Sequence, residues 1–142
     1  MAESDEAGTD RLDIDNMYLC GSSFTRVSLK DSTFRDAHLV NALFEDVDAT
    51  GLRYENVNLT DAKLHNVNLS AVQVSYANLT GFGVTDANMT DISLTNVNMT
   101  GAVIENANLT NASISNCNIN GMRIEGVALA DLLALWKDTH GA

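Results

Sequence analysis

A period of five residues runs through most of this chain, and it restricts the possible folds more than any other feature of the sequence. The stretch from Val57 to Gly121 divides into consecutive blocks of five, with no residue inserted or lost. The third place of each block is apolar, and the first place is small or apolar. An α-helix requires apolar residues three and four apart, and a β-strand requires them two apart, so this period fits neither element.

Each block combines a short strand with a corner. The first and third places alternate as inward positions do on a strand. The remaining places are rich in Asn, Asp, Gly, Ser and Thr, which tolerate the backbone geometry of tight turns. A short fixed repeat of this kind is typical of a solenoid, which buries its apolar side chains by stacking one coil on the next.

The sequence also indicates how many blocks make one coil. Blocks twenty residues apart resemble each other, as in those beginning at Val57, Ala77 and Val97, which all have Asn in the second place. Alternate blocks lack that Asn, so opposite sides of the coil would look alike. A ten-residue alternation would give the same pattern, which is therefore consistent with four sides without requiring them.

The register assigns a structural core of third-place residues. We expect the following side chains to face inward: Leu19, Phe24, Leu29, Phe34, Leu39, Phe44, Tyr54, Leu59, Leu64, Leu69, Leu79, Met89, Leu94, Met99, Ile104, Leu109, Ile114 and Ile119. With four blocks per coil, one inner column would contain Phe24, Phe44, Leu64, Val84, Ile104 and Ile124. On the outer surface, Arg35 would lie between Asp15 and Glu55 in adjacent coils.

The period changes after Gly126. Apolar residues then lie three and four apart, as on one face of an amphipathic helix: Leu129, Leu132, Leu133 and Trp136. The last coil of a solenoid exposes apolar core and unpaired backbone. We expect the helix to cap that core, and we expect Leu135 and Trp136 to offer a contact for a second copy of the chain.

Composition sets the outer bounds. The 142 residues suit one domain, divided into an acidic disordered tail at 1–11, the repeat at 12–127, and the helix with its tail at 128–142. The net charge of −11 makes direct nucleic-acid binding improbable. No apolar run is long enough to span a membrane, and the acidic start does not resemble a secretory signal. The two cysteines are far apart in sequence, and these features together favour a cytoplasmic protein.

No residue pattern predicts catalysis. The three histidines lie in unrelated blocks, no nucleophile accompanies a base, and neither a phosphate loop nor a metal-ligand spacing is present. The repeated Asn-x-Ser/Thr tripeptides follow from the repeat itself. We therefore expect a protein that is not an enzyme and that uses no metal and no cofactor.

The blocks beginning at Val57, Ala77, Ala87 and Ala107 resemble the pentapeptide-repeat family, whose consensus is roughly Ala-(Asp/Asn)-Leu-x-x. The resemblance covers nearly the whole chain. It implies an all-β solenoid, a right-handed four-sided β-helix, here followed by the short C-terminal capping α-helix. Because several members dimerise through their C-terminal ends, the resemblance also favours a homodimer.

Two functions are consistent with these features. The first is a protein-binding scaffold with an unidentified partner, since the outer Asn, Ser and Thr form nearly uncharged sides. The alternative, implied by the resemblance, is a DNA mimic that binds DNA gyrase or another topoisomerase and protects it from poisons such as quinolones. Residues 12–129 have a net charge of −7. A duplex as long as six coils, about 28 Å, would have roughly 16 negative charges. The charge density therefore favours the scaffold.

Overall fold

The computed structural model describes residues 13–141 as a parallel β-solenoid of about five turns, followed by one short helix. The predicted tail at residues 1–11 lies outside the described residues. Strands of three residues each form two five-stranded parallel sheets on opposite sides of the coil. The first sheet contains β1 (Ser23–Thr25), β3 (Leu43–Glu45), β5 (Lys63–His65), β7 (Gly83–Thr85) and β9 (Val103–Glu105). The second contains β2 (Thr33–Arg35), β4 (Arg53–Glu55), β6 (Gln73–Ser75), β8 (Ser93–Thr95) and β10 (Ser113–Ser115).

The strand register confirms a coil of four blocks. Within each sheet, residues twenty apart are paired; Phe44, for example, pairs with Phe24 on one side and Leu64 on the other. The inner column continues through Val84 to Ile104 as predicted. The two remaining sides have single parallel bridges with the same spacing, such as that between Asn58 and Asn78.

The prediction for Ile124 is wrong. Instead of stacking on Ile104, the segment β11 (Arg123–Ile124) turns back and pairs antiparallel with β12 (Val127–Ala128). Glu125 and Gly126 between them both have positive φ, which allows the tight reversal. The last coil therefore has no complete layer above it.

The fifth place of each block forms the corner. Corner residues adopt left-handed φ values near 55°, and most of them are Asn, Asp or Gly. These residues tolerate that region because Gly lacks a Cβ and because short polar side chains can hydrogen-bond locally. The corner amide then points along the axis, as where Asp61 N–H donates to Thr80 C=O at 2.8 Å.

The core is continuous but ends before the solenoid does. Buried apolar residues extend from Phe34 to Val97. In the first coils the aromatic rings stack, with Phe24 and Phe44 centroids 4.8 Å apart and Phe34 and Tyr54 centroids 5.5 Å apart. Full burial of Tyr54 raises the pKa of its phenol well above the ordinary value, so the group stays neutral.

Burial of the predicted core residues depends on their coil. Ten are buried: Phe34, Leu39, Phe44, Tyr54, Leu59, Leu64, Leu69, Leu79, Met89 and Leu94. Six are partly buried near the two ends: Leu19, Phe24, Leu29, Met99, Ile104 and Ile119. Leu109 and Ile114 were expected inside but are exposed, at 48% and 41%, because no further coil covers them.

Candidate binding surfaces

Two sides of the solenoid present ladders of Asn, Thr and Ser. We call the side with Asn58, Asn78 and Asn98 the first ladder, and the side with Asp48, Asn68, Asn88 and Asn108 the second ladder. In the first ladder, Asn78 Oδ1 accepts hydrogen bonds from the Thr80 hydroxyl at 2.6 Å and from the Thr80 N–H at 3.1 Å. Its Nδ2 donates to the Thr60 hydroxyl of the preceding coil at 3.1 Å.

The hydrogen bonds of each ladder all run in one direction. After Asn58, which has Val40 in the preceding hydroxyl position, each ladder amide donates to the hydroxyl of the coil before it. Each hydroxyl donates to the acceptor of its own block. Asp48 begins the second ladder, and Lys30 lies in the preceding hydroxyl position, where it has no acceptor to offer. A carboxylate needs no acceptor, so Asp fits the start of the ladder where Asn would leave a donor unused.

Asp48 is also the one ladder member with an ionisable side chain. The Thr50 hydroxyl, 2.6 Å away, and the Thr50 backbone N–H both donate to it and lower the pKa of its carboxyl. The remaining ladder groups are uncharged and already hydrogen-bonded to each other. These two sides are therefore flat and neutral, with most of their hydrogen-bonding capacity used within the chain.

Charged side chains on the sheets form only scattered pairs. Arg35 lies in register between Asp15 and Glu55, as predicted, and its Nε donates to Glu55 Oε2 at 3.1 Å. His65 Nδ1 lies 3.0 Å from the Thr85 hydroxyl and 3.6 Å from Asp86 Oδ2. Within residues 13–141, no group of three or more His, Cys, Asp and Glu side chains could hold a metal ion.

The C-terminal end of the solenoid forms an apolar depression of about 590 Å³. We call this surface the open end. Its apolar lining comes from the last inward positions: Met99, Ile104, Leu109, Ile114, Ile119 and Ile124. We call the exposed polar residues of its lining, together with Gly121, the rim: Glu105, Asn118, Asn120, Gly121, Arg123 and Glu125. The depression exists because β11 leaves the solenoid instead of completing another coil.

The helix α1 (Leu129–His140) was expected to cap this core, but it does not do so in the single chain. None of its residues is buried, and its side chains are absent from the lining of the depression as described. It packs on β12, and Leu129 N–H donates to Met122 C=O. Leu132 and Leu133 are about 40% exposed, whereas Leu135 and Trp136 are about 60% exposed. The Trp136 ring stacks on His140 with centroids 5.1 Å apart.

The hairpin of β11 and β12, after which α1 begins, is not predicted by the repeat pattern. One signal was available: Gly126 follows Glu125 directly after the last regular block, and a Gly at that point favours a reversal. No pattern in the sequence shows in which direction the helix leaves the hairpin. Within residues 13–141, no helix is both long and apolar enough to cross a membrane.

Comparison with protein families identifies the repeat. The family model described as pentapeptide repeats matches residues 42–81 and 85–126, with eight copies. No curated protein sequence matches the chain significantly.

Solved structures share the fold at low sequence identity. HetL from the cyanobacterium Nostoc sp. strain PCC 7120, a pentapeptide repeat protein involved in heterocyst differentiation regulation, is 21% identical with a TM-score of 0.67. The match covers 78% of this chain and 52% of HetL, so the chain spans about half of HetL's length. Rfr23 from the cyanobacterium Cyanothece 51142 is 20% identical with a TM-score of 0.53, covering 80% of this chain and 88% of Rfr23.

A third structure is that of QnrB1, a plasmid-mediated fluoroquinolone resistance protein. It is 17% identical over 90% of this chain and 84% of QnrB1, with a TM-score of 0.36. That superposition is too poor to support an argument about function. The similarity to HetL and Rfr23 establishes the fold alone.

Proposed function

The chain belongs to the pentapeptide-repeat family, and from this premise we propose that it is a non-enzymatic protein-binding module that associates through its open end. We propose that the partner is a second copy of the same chain. The observation that supports this most is an apolar depression and an apolar helix that lie at the same end of the molecule and do not cover each other.

Exposure of apolar side chains at this end would be costly for a free monomer. Complete burial of a fully exposed Leu or Ile contributes about 1.5–3 kcal/mol, and a side chain that is half exposed, such as Leu109, contributes roughly half of that. Large contiguous apolar patches on soluble proteins mark interaction sites. Exposed apolar side chains of this kind occur on both surfaces: Leu109 and Ile114 line the open end, and Leu135 and Trp136 lie on α1.

The apolar open end and the apolar helix α1 could cover each other in a symmetric dimer. In a two-fold dimer, the same patch of both copies forms the interface, so α1 of one copy can cover the open end of the other. Each copy then supplies the cap that its own helix does not provide. The predicted capping role of Leu129, Leu132, Leu133, Leu135 and Trp136 would be fulfilled between two chains.

Charge also favours contact at this end. Residues 99–141 have a net charge of −2, whereas residues 13–98 have a net charge of −6. Two open ends therefore meet with little repulsion, while the acidic coils remain apart. The free thiols Cys20 and Cys117 fit a cytoplasmic location, where disulfides are rare.

A concentration series by analytical ultracentrifugation tests the proposal, with the fluorescence of Trp136, the only tryptophan, as a local probe. We expect the wild type to dimerise and its Trp136 emission to shift to shorter wavelength as the ring becomes buried. Leu135→Glu should weaken dimerisation about tenfold or more, because a charge would enter the apolar contact.

Tyr76→Glu is the matched control. Tyr76 is as exposed as Leu135, at 63%, but it lies at a corner in the middle of the solenoid. This variant should dimerise like the wild type. A wild-type chain that stays monomeric at all concentrations would refute the self-association, as would an equal loss of affinity in both variants.

Gyrase binding in place of DNA is a second candidate, favoured by one observation. Corner carboxylates recur along the outer edges of the solenoid: Asp31, Asp36, Asp46, Asp61, Asp86 and Asp91. Their number remains well below the charge of a duplex of the same length, and the later corners are Asn or Gly. A gyrase supercoiling assay with and without the protein decides this candidate; unchanged supercoiling and unchanged quinolone sensitivity would exclude it.

A further inference from the structure

Asn120 and Gly121 form the only Asn–Gly pair in the sequence, and they lie on the rim of the open end. Both residues are exposed. Asparagine is a thermolabile residue. It is most labile before glycine. The glycine has no side chain to hinder its backbone nitrogen from attacking Cγ, the side-chain amide carbon of the Asn. Whether such a pair reacts depends on how firmly the structure holds that nitrogen.

In the earlier coils, as far as Gly81, the nitrogen of this corner is held by a hydrogen bond. Gly21, Gly51 and Gly81 belong to the same class of corner, and each donates its N–H to a carbonyl of the next coil at 2.9–3.0 Å. Gly121 occupies the equivalent position in the last coil. Because no coil follows, its N–H has no backbone acceptor among the described residues.

The Asn120 side chain is equally unrestrained. In the ladders, every Asn from Asn58 to Asn108 uses its Oδ1 to accept bonds within its own block. Asn120 lies in the hydroxyl position instead, and its side-chain amide makes no hydrogen bond within residues 13–141. Its carbonyl also fails to accept from Gly101, although the equivalent Thr100 carbonyl accepts from Gly81. The last block is thus held less firmly than those before it.

We propose that Asn120 is a site of spontaneous deamidation that changes the charge of the open end. The Gly121 nitrogen attacks Cγ of Asn120, a C–N bond forms, and the side-chain nitrogen leaves as ammonia together with the Gly121 amide proton. Water then opens the five-membered imide, giving aspartate or isoaspartate. The reaction needs only water, and it replaces a neutral amide with a carboxylate.

The reaction stands independently of self-association, but its consequence rests on the proposed function. A carboxylate on both facing rims of a dimer adds like-charge repulsion and must be desolvated. Conversely, a partner that covers the rim would restrain the backbone at Gly121 and exclude water from it, which would slow the reaction. The deamidated fraction of the protein would then increase, irreversibly, with the time that the chain spends without a partner.

Peptide mapping by mass spectrometry during incubation at mildly alkaline pH measures the rate, with isoaspartate detected in the same peptides. The matched control is Cys20→Asn, which builds a second Asn–Gly pair in front of Gly21, where the N–H donates to Val40 C=O at 3.0 Å. We expect Asn120 to react about tenfold faster than the engineered pair, since one hydrogen bond must first open there. Equal rates, or an unreactive Asn120, would overturn the proposal.

The second measurement separates the two proposals. Asn120→Asp mimics the product and should weaken dimerisation severalfold, whereas Ser113→Asp, which adds the same charge on the outer face of β10, should not. If the chain proves monomeric, the rate comparison still decides whether Asn120 is labile. If it dimerises and Asn120→Asp has no effect, the regulatory consequence is refuted while the proposed function stands.

Discussion

At the scale of single residues, the period of twenty decides which side chains interact. Arg35 illustrates this, because the residues that neighbour it in space are Asp15 and Glu55 rather than its neighbours in sequence. Opposite charges directly across adjacent strands stabilise a sheet by roughly 0.2–1 kcal/mol. The Arg35–Glu55 pair is half exposed, so its contribution lies at the low end of that range.

Arg35→Glu would place three acids in one column and should lower the melting temperature. The effect should be larger at low salt than at high salt, because mobile ions screen exposed charges. The matched control is Arg53→Glu, which makes the same charge change on the same sheet between Thr33 and Gln73. Thermal unfolding at two salt concentrations measures both variants; equal salt dependence would show that the column does not matter.

At the scale of the element, each side of the solenoid has its own means of joining the coils. The sheet sides use three-residue ladders of backbone hydrogen bonds, whereas the other two sides supplement single bridges with side-chain ladders. Asn88 is a typical rung: it accepts two hydrogen bonds from Thr90 and donates one to the Ser70 hydroxyl at 2.8 Å. The Asn-x-Ser/Thr pattern is therefore a structural device.

Asn88→Ala should destabilise the chain by about 1 kcal/mol, since it removes these bonds at a partly exposed site. Gln73→Ala is the control, because Gln73 occupies the same place of its block on a sheet side but makes no side-chain hydrogen bond within the described residues. Its effect should stay within about 0.5 kcal/mol. Urea unfolding measures both; similar losses would mean that the ladder adds nothing beyond the backbone.

At the scale of the whole molecule, the core is one column of stacked layers, closed in the middle and open at the C-terminal end. The solvent exposure of an inward side chain therefore depends on the coil in which it lies. Leu69 is 2% exposed between two complete layers, whereas Ile114, in the equivalent place of its block, is 41% exposed. The same substitution at the two positions separates folding from association.

Leu69→Asp should prevent folding, because an unpaired buried carboxylate costs several kcal/mol. Ile114→Asp should leave a folded chain that fails to dimerise, since its side chain meets water in the single molecule. Circular dichroism reports folding and ultracentrifugation reports association. A stable, monodisperse Leu69→Asp variant would show that the inward assignment is wrong, and an unfolded Ile114→Asp variant would show that the open end is part of the folding core.

The sequence by itself determined the coil. A strict period of five identifies the inward third-place residues, and a coil of four blocks, with which the recurrence at twenty is consistent, assigned the neighbours of residues such as Phe44 and Arg35 correctly. Local chemistry sufficed because Asn, Asp and Gly at the corners favour the turn, and because each layer contacts only the next.

Only the tertiary structure decided what happens where the repetition stops. Leu109 and Ile114 are exposed because no further coil covers them. The path of α1 depends on Glu125 and Gly126, which reverse the chain. Apolar spacing identifies a helix and its face but says nothing about which surface that face meets. The open end and the unrestrained Gly121 amide follow from the missing layer, since periodic patterns describe the interior of a repeat and not its boundary.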